Sequence, residues 1–266
     1  RIFAAAGFAP ASPGGPAGLP AEGAPARDPD AGATRAALPS LASAVRLSFV
    51  VAALATLVGL PLAVGLGFLL ARHDFPGKAL VSTVALAPLV MPPVVTGFLL
   101  LTVLGNESPL GRALSSLGVT VPFTLLGAAI AALVVGLPLY VLTVRNAFEA
   151  VDAQYEKLSW TLGATPRRTF LRVSLPLALP GIAAGALLSF ARALGEFGAT
   201  VVLAGNVEGS TRTISLAVYT LLESPSGRGH TWALVAASIA LSLGALVGYE
   251  ALSRRQKRRL EVDRGR

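Results

Sequence analysis

Long apolar runs alternate with short polar ones along the chain. From Leu47 to Ala71 no residue is charged, which at about 1.5 Å of rise per residue is enough helix to cross a hydrocarbon core of about 30 Å. Comparable runs cover residues 79–104, 121–144, 177–204 and 231–252, so the pattern predicts five membrane spans. Gly59, Pro61, Gly65 and Gly67 lie in the first span, where small residues let helices approach closely in lipid. The second span carries Pro88, Met91, Pro92 and Pro93. Prolines free backbone carbonyls, which must then be satisfied by neighbouring helices or a water-lined cavity. A structural kink and a piece of a substrate pathway would both use them.

Composition agrees with this reading. Of 266 residues, 53% are hydrophobic and 14% charged, with a mean hydropathy of +0.67, values typical of an integral membrane protein. With no Cys and two His, disulfide chemistry and a structural zinc site have no support. His73 stands alone in the loop after the first span. The net charge of +8 does not point to nucleic acid, because the cations sit between and after the apolar runs, as topology-setting charge does.

Residues 1–40, rich in Pro, Gly and Ala, are expected to be a flexible extension. Residues 41–253 form the membrane domain and 254–266 a basic tail. Arg72 and Lys78, then Arg145, Lys157, Arg167, Arg168 and Arg172, and finally the tail put most of the positive charge on one side of the five spans. Arg112, Arg212 and Arg228 are all that fall on the other. The positive side is cytoplasmic, so residue 40 is expected outside and the C-terminus inside. The apolar stretch Ile2–Ala9 is consistent with the cut end of a signal or of a sixth, upstream span, which would leave this core unchanged.

One polar segment, residues 149–182, interrupts the apolar chain. Val151, Tyr155, Leu158 and Leu162 recur at helical spacing, with Asp152, Glu156, Lys157 and Ser159 on the other faces, which predicts an amphipathic helix. Gly163 should end it in the left-handed conformation, and Thr165-Pro166 should cap and start a second, basic helix. Pro176 and Pro180 are expected to mark re-entry into the membrane. On its own, such a segment also fits a basic amphipathic loop lying on the bilayer surface.

The run Glu156…Gly163…Val173-Ser174-Leu175-Pro176 resembles the EAA loop of ABC-importer permeases, whose pattern is Glu-Ala-Ala, three residues, Gly, nine residues, Ile-x-Leu-Pro. Nine residues separate Gly163 from Val173, which replaces Ile. Lys157-Leu158 stand where the pattern has Ala-Ala. The resemblance implies the all-α type I ABC-importer permease fold, with five or six spans and a cytoplasmic coupling helix that docks on an ATPase subunit. It makes Glu156, Leu158, Gly163, Ala164, Arg167, Val173, Leu175 and Pro176 the candidate coupling residues.

Arg192 and Glu196 are the only ionisable residues well inside a span, four apart in a run that also holds Gly195 and Gly198. Intramembrane charges usually pair and face a bundle interior or a cavity. They serve either as a brace for an interrupted helix or as part of a gate. Together with Pro92 and Pro93, these four residues are the pore or gate candidates. The run Ala191–Thr200, followed by Gly205–Gly209, Thr211–Ile214 and Tyr219–Leu221, and the segment from Arg72 to Leu101 are similar to the molybdate-transporter permease family. Sulfate and thiosulfate permeases share a similar Gly-Glu-(Phe/Tyr)-Gly run, and tungstate is isosteric with molybdate.

No G-x-x-x-x-G-K-[ST] is present, so the energy source must be another subunit. Neither G-x-S-x-G nor H-E-x-x-H occurs, which leaves a membrane hydrolase without support. The resemblance therefore implies a non-catalytic permease in the bacterial inner membrane that binds no cofactor itself. Its partners would be a second copy of the chain, two cytoplasmic ABC ATPase subunits, which use the ATP, and a periplasmic oxyanion-binding protein. The contrasting reading is a secondary anion transporter driven by an ion gradient, with Glu196 near the coupling ion. Such a protein is expected to show an internal repeat of spans, and none is visible.

Overall fold

The computed structural model describes the backbone of residues 29–223 and 228–264, and side chains within 41–223 and 231–254. The described residues are mostly helical, with no strand among them. Four helices are long and apolar enough to cross a membrane, over Leu41–Arg72, Leu125–Glu149, Pro166–Leu194 and Thr231–Arg254, and a bent pair makes up to five. Helix α1 (Pro29–Arg72) begins before the expected first span, so the extension read as 1–40 is already helical from Pro29. Its first 28 residues lie outside the described part.

The bent pair is the clearest departure from a simple span. Helices α2 (Lys78–Val90) and α3 (Pro93–Leu104) meet at 117°. Pro92 and Pro93 have no N–H to continue the α2 ladder, which closes with Met91 N–H donating to the Ala87 carbonyl. The ladder restarts when the N–H groups of Val95 and Thr96 donate to the Pro92 carbonyl. The connection after α3 is not wholly irregular. It contains α4 (Pro109–Ser116), whose Gly111 N–H is capped by Ser108 Oγ at 2.8 Å.

Helix α5 (Leu125–Glu149) is the hub, buried along most of its length. It runs parallel to α1, and the two backbones approach where α1 has glycine. A Cβ added at Gly59 would lie 2.8 Å from Leu133 Cδ1, and one at Gly67 would lie 2.7 Å from Val144 Cγ1. This is the close packing that replaces the hydrophobic drive between helices in lipid.

Two short helices follow α5, namely α6 (Ala153–Thr161) and α7 (Pro166–Thr169). A π-helical turn, Phe170–Ser174, then leads without a break into α8 (Leu175–Leu194). Pro176 and Pro180, expected to mark re-entry into the membrane, both lie inside one continuous helix. The Leu175 N–H donates to the Phe170 carbonyl, a bond one residue wider than the α pattern, just ahead of a proline with no N–H of its own.

The fourth predicted span is broken near its end. α8 stops at Leu194, and α9 (Gly198–Leu203) restarts after Gly195-Glu196-Phe197. The region after it, outside the five predicted spans, contains an apolar helix, α10 (Ile214–Glu223), tied to α1 where the Ile214 N–H donates to Ser48 Oγ at 2.7 Å. Helix α11 (Arg228–Arg264) returns antiparallel to α8, with Leu241 packed in the cluster of Ala193 and Leu194, and Gly248 close to Leu187. Arg72, Arg145, the α6–α7 loop and Arg254 accordingly share one end of the bundle, and Arg112 and Arg212 lie at the other.

Candidate functional site

At the basic end, Asp152 caps α6 by accepting the Gln154 N–H at 2.9 Å. Gly163 ends that region at φ +81, a conformation that costs an L side chain about 1–2 kcal/mol. Thr165 caps α7 through the Arg168 N–H, and Pro166 occupies its first turn. Ala164 N–H donates to the Ser159 carbonyl, and the Ser159 and Thr169 hydroxyls are hydrogen bonded at 3.0 Å. The two short helices are thus latched to each other.

Most of α6 faces outward, its apolar stripe included. Val151 is buried, but Tyr155, Leu158 and Leu162 are exposed, Leu158 by 60% and Leu162 by 81%, and Trp160 and Leu171 are exposed beside them. The inward residue is Glu156, 7% exposed. Arg72, the last residue of α1, donates from Nε to Glu156 Oε1 at 3.0 Å and from a terminal guanidinium nitrogen to the Val151 carbonyl at 2.7 Å. Ser174 Oγ donates to the same carboxylate oxygen at 2.7 Å. A carboxylate this far from water requires such partners, and these come from two elements, α1 and the π-helical turn.

Glu156 thus faces the bundle, and its register agrees. This corrects the alignment with the EAA pattern by one residue. Glu156 precedes Gly163 by seven positions, one more than the pattern allows, so Lys157-Leu158-Ser159, and not Glu156-Lys157-Leu158, stand in the place of the Glu-Ala-Ala triplet. Lys157 and Leu158 are exposed there. Beneath the loop, Phe68 packs edge-on to Phe148 and Phe170, with centroids 5.2 and 4.7 Å apart. The ends of α1 and α5 and the start of the α8 span therefore form one packed base. Ala164, Val173 and Leu175 are half-buried, whereas Arg167 and Pro176 are exposed. In the adjoining loop, the hydrogen bond and charge of Lys78 hold the exposed Asp74 carboxyl below its ordinary range.

Deeper in the bundle, the structure brings the two helix breaks together. A Cβ on Gly97 of α3 would fall 2.7 Å from Ala199 Cα, and one on Gly198 of α9 would fall 3.0 Å from Pro93 Cβ and 3.1 Å from the Val94 nitrogen. Pro93 and Gly198 therefore meet, although more than a hundred residues separate them. Glu196 is buried and fully used. Its Oε2 accepts from an Arg192 terminal guanidinium nitrogen at 3.0 Å, and its Oε1 accepts the Ala199 N–H at 2.9 Å. The carboxylate thus pairs with the end of α8 and caps the start of α9 across Gly195. Arg192 is part-exposed, its side chain 31% accessible, and Pro92 is exposed.

Sequence reading did not single out Arg72, Ser174 or Gly97. Arg72 was legible only as topology-setting charge, and Gly97 only as one more small residue in a span. Among the described residues, no group of three or more His, Asp or Glu could hold a metal ion.

Residues 63–258 match the model of the binding-protein-dependent transport system inner membrane component family, and the chain belongs to that family. It is 45% identical over 217 residues to the molybdenum transport system permease protein ModB of Escherichia coli K12, covering 81% of this chain and 95% of that one. It is 42% identical over 219 residues to ModB of Haemophilus influenzae, covering 82% and 96%. Its fold is that of a bacterial ABC transporter involved in the import of the acidic polysaccharide alginate. That likeness has a TM-score of 0.63 and 19% identity, and covers 87% of this chain and 85% of that one. The fold is therefore the type I ABC-importer permease fold, and the protein is a multi-pass membrane transport subunit.

Proposed function

We propose that the chain is the transmembrane permease of an ATP-driven importer of molybdate, working as a homodimer with two cytoplasmic ABC ATPase subunits and a periplasmic oxyanion-binding protein. It carries no cofactor, and the ATPase partners use the ATP. The observation that carries the coupling part is the outward apolar face of α6, with Leu158 and Leu162 exposed while Glu156 is tied inside. An exposed apolar face on a firmly braced helix is what a protein partner needs. Identity of 42–45% to two molybdenum transport permeases supports molybdate over sulfate.

In this reading the basic end, and with it the C-terminus, is cytoplasmic. ATP-driven closure of the ATPases moves the loop from Glu156 to Pro176, including Gly163, Ala164, Arg167, Val173 and Leu175. Because the loop is joined to α1, α5 and α8, these elements move together, and the two permeases rock between inward-open and outward-open states. The meeting of the two breaks at Pro92, Pro93, Gly195 and Gly198 supplies the bending point of a gate, with the Arg192–Glu196 pair as its brace. Arg192 also adds positive potential to a path for an anion.

The test is uptake of labelled molybdate into vesicles containing the full complex, with and without ATP and with unlabelled tungstate or sulfate as competitor. ATP-dependent uptake that tungstate competes and sulfate does not supports the proposal. Competition by sulfate would move the assignment to a sulfate or thiosulfate permease, and uptake indifferent to ATP would overturn it.

A further inference from the structure

The docking face of α6 and α7 is basic as well as apolar, and the way the loop folds makes it so. Lys157, Arg167, Arg168 and Arg172 are all exposed, and none pairs with a carboxylate among the described residues. The acids nearby are occupied. Glu156 is drawn inward by Arg72 and Ser174, Glu149 is held by Arg145 at 2.7 Å, and Asp152 accepts the Gln154 N–H at the start of α6. The position to which the EAA pattern gives glutamate carries Lys157. What remains on the surface is an apolar ridge, Leu158 and Leu162, flanked by cations.

Resting on the coupling role proposed above, we infer that this loop takes an ATPase subunit whose docking cleft has an apolar floor rimmed by aspartate and glutamate carboxylates. Unpaired cations at a rim set partner choice and association rate by complementarity and are repelled by a basic cleft. The apolar ridge supplies the contact that does not depend on salt.

The test is titration of the ATPase subunit onto the full-length permease in nanodiscs of neutral lipid, at low and at roughly physiological ionic strength. The wild-type pair should weaken as salt rises. The double variant Lys157→Glu/Arg167→Glu should bind on the order of tenfold more weakly at low salt, with little salt dependence left. Leu158→Asp should lose binding at both ionic strengths. Equal, salt-insensitive binding of wild type and the charge-reversed variant, with Leu158→Asp still defective, would overturn the acidic cleft and leave the coupling role standing. Absence of ATPase binding by the wild type would overturn the coupling role itself. A difference between wild type and the double variant that appears only in discs of anionic lipid would assign the cations to lipid headgroups and overturn the inference.

Discussion

Arg72 closes the first membrane-spanning helix and reaches Glu156 of the loop helix, Nε to Oε1 at 3.0 Å, with both side chains almost withdrawn from solvent. These residues lie 84 positions apart, and their contact makes the loop an extension of span one as well as of the span it precedes. Removing one partner of a buried pair leaves the other charge uncompensated, at a cost of about 3–5 kcal/mol. Arg72→Ala and Glu156→Ala are therefore each expected to lower the melting temperature of the purified permease and to reduce uptake per ATP hydrolysed. In a double-mutant cycle the two losses should fall well short of additive. Additive effects would mean that the contact carries no coupling.

Gly163 holds φ +81 with open space around its Cβ position. An added Cβ there meets no clash and only backbone strain, about 1–2 kcal/mol. Gly163→Val should insert into the membrane normally and keep the bundle, yet lose ATPase association or coupling because α6 and α7 no longer meet at the same angle. Comparing membrane yield with ATPase co-purification checks this. Normal ATP-driven uptake by the variant would contradict the role given to the loop.

At Gly97 the opposite physics applies. Its backbone is ordinary, but the nearest neighbour of an added Cβ is the backbone of Ala199, which cannot rotate away. Gly97→Leu should force α3 and α9 apart and abolish uptake while ATPase docking, at the far end of the molecule, persists. Retained uptake would show that these two helices need not touch.

Glu196→Gln keeps an acceptor for the Ala199 N–H but removes the charge facing Arg192, whereas Glu196→Ala removes both. The alanine variant should lose more thermal stability than the glutamine variant, by about 1–3 kcal/mol for the orphaned backbone donor. Equal losses would assign the stabilisation to the ion pair alone.

Much of this was readable in the residues, and what was missed has physical causes. Gly163, Thr165 and Pro166 act locally, so their turn, cap and first-turn roles follow from backbone preferences alone. Gly59 and Gly67 announced close packing, and the charges of the loops were sorted correctly to the two ends of the bundle. The inward turn of Glu156 was not legible, because a glutamate on the polar face of an amphipathic helix is ordinarily taken to face water, and here Arg72 and Ser174 give it a buried environment. Only tertiary contact reveals that preference. Pro176 and Pro180 were read as marking re-entry into the membrane, but that the π turn Phe170–Ser174 joins the loop to α8 in one continuous helix was not legible from them. The meeting of Pro93 with Gly198 depends on where two breaks fall in space, which spacing along the chain does not encode.

The most direct test of the whole account is ATP-dependent molybdate uptake by the assembled complex, comparing wild type with Arg72→Ala, Glu156→Ala and their combination. The account predicts uptake that needs ATP, that tungstate but not sulfate competes, and that falls to a similar low level in all three variants while ATP hydrolysis continues. Uptake independent of ATP, or unchanged in the three variants, would contradict it.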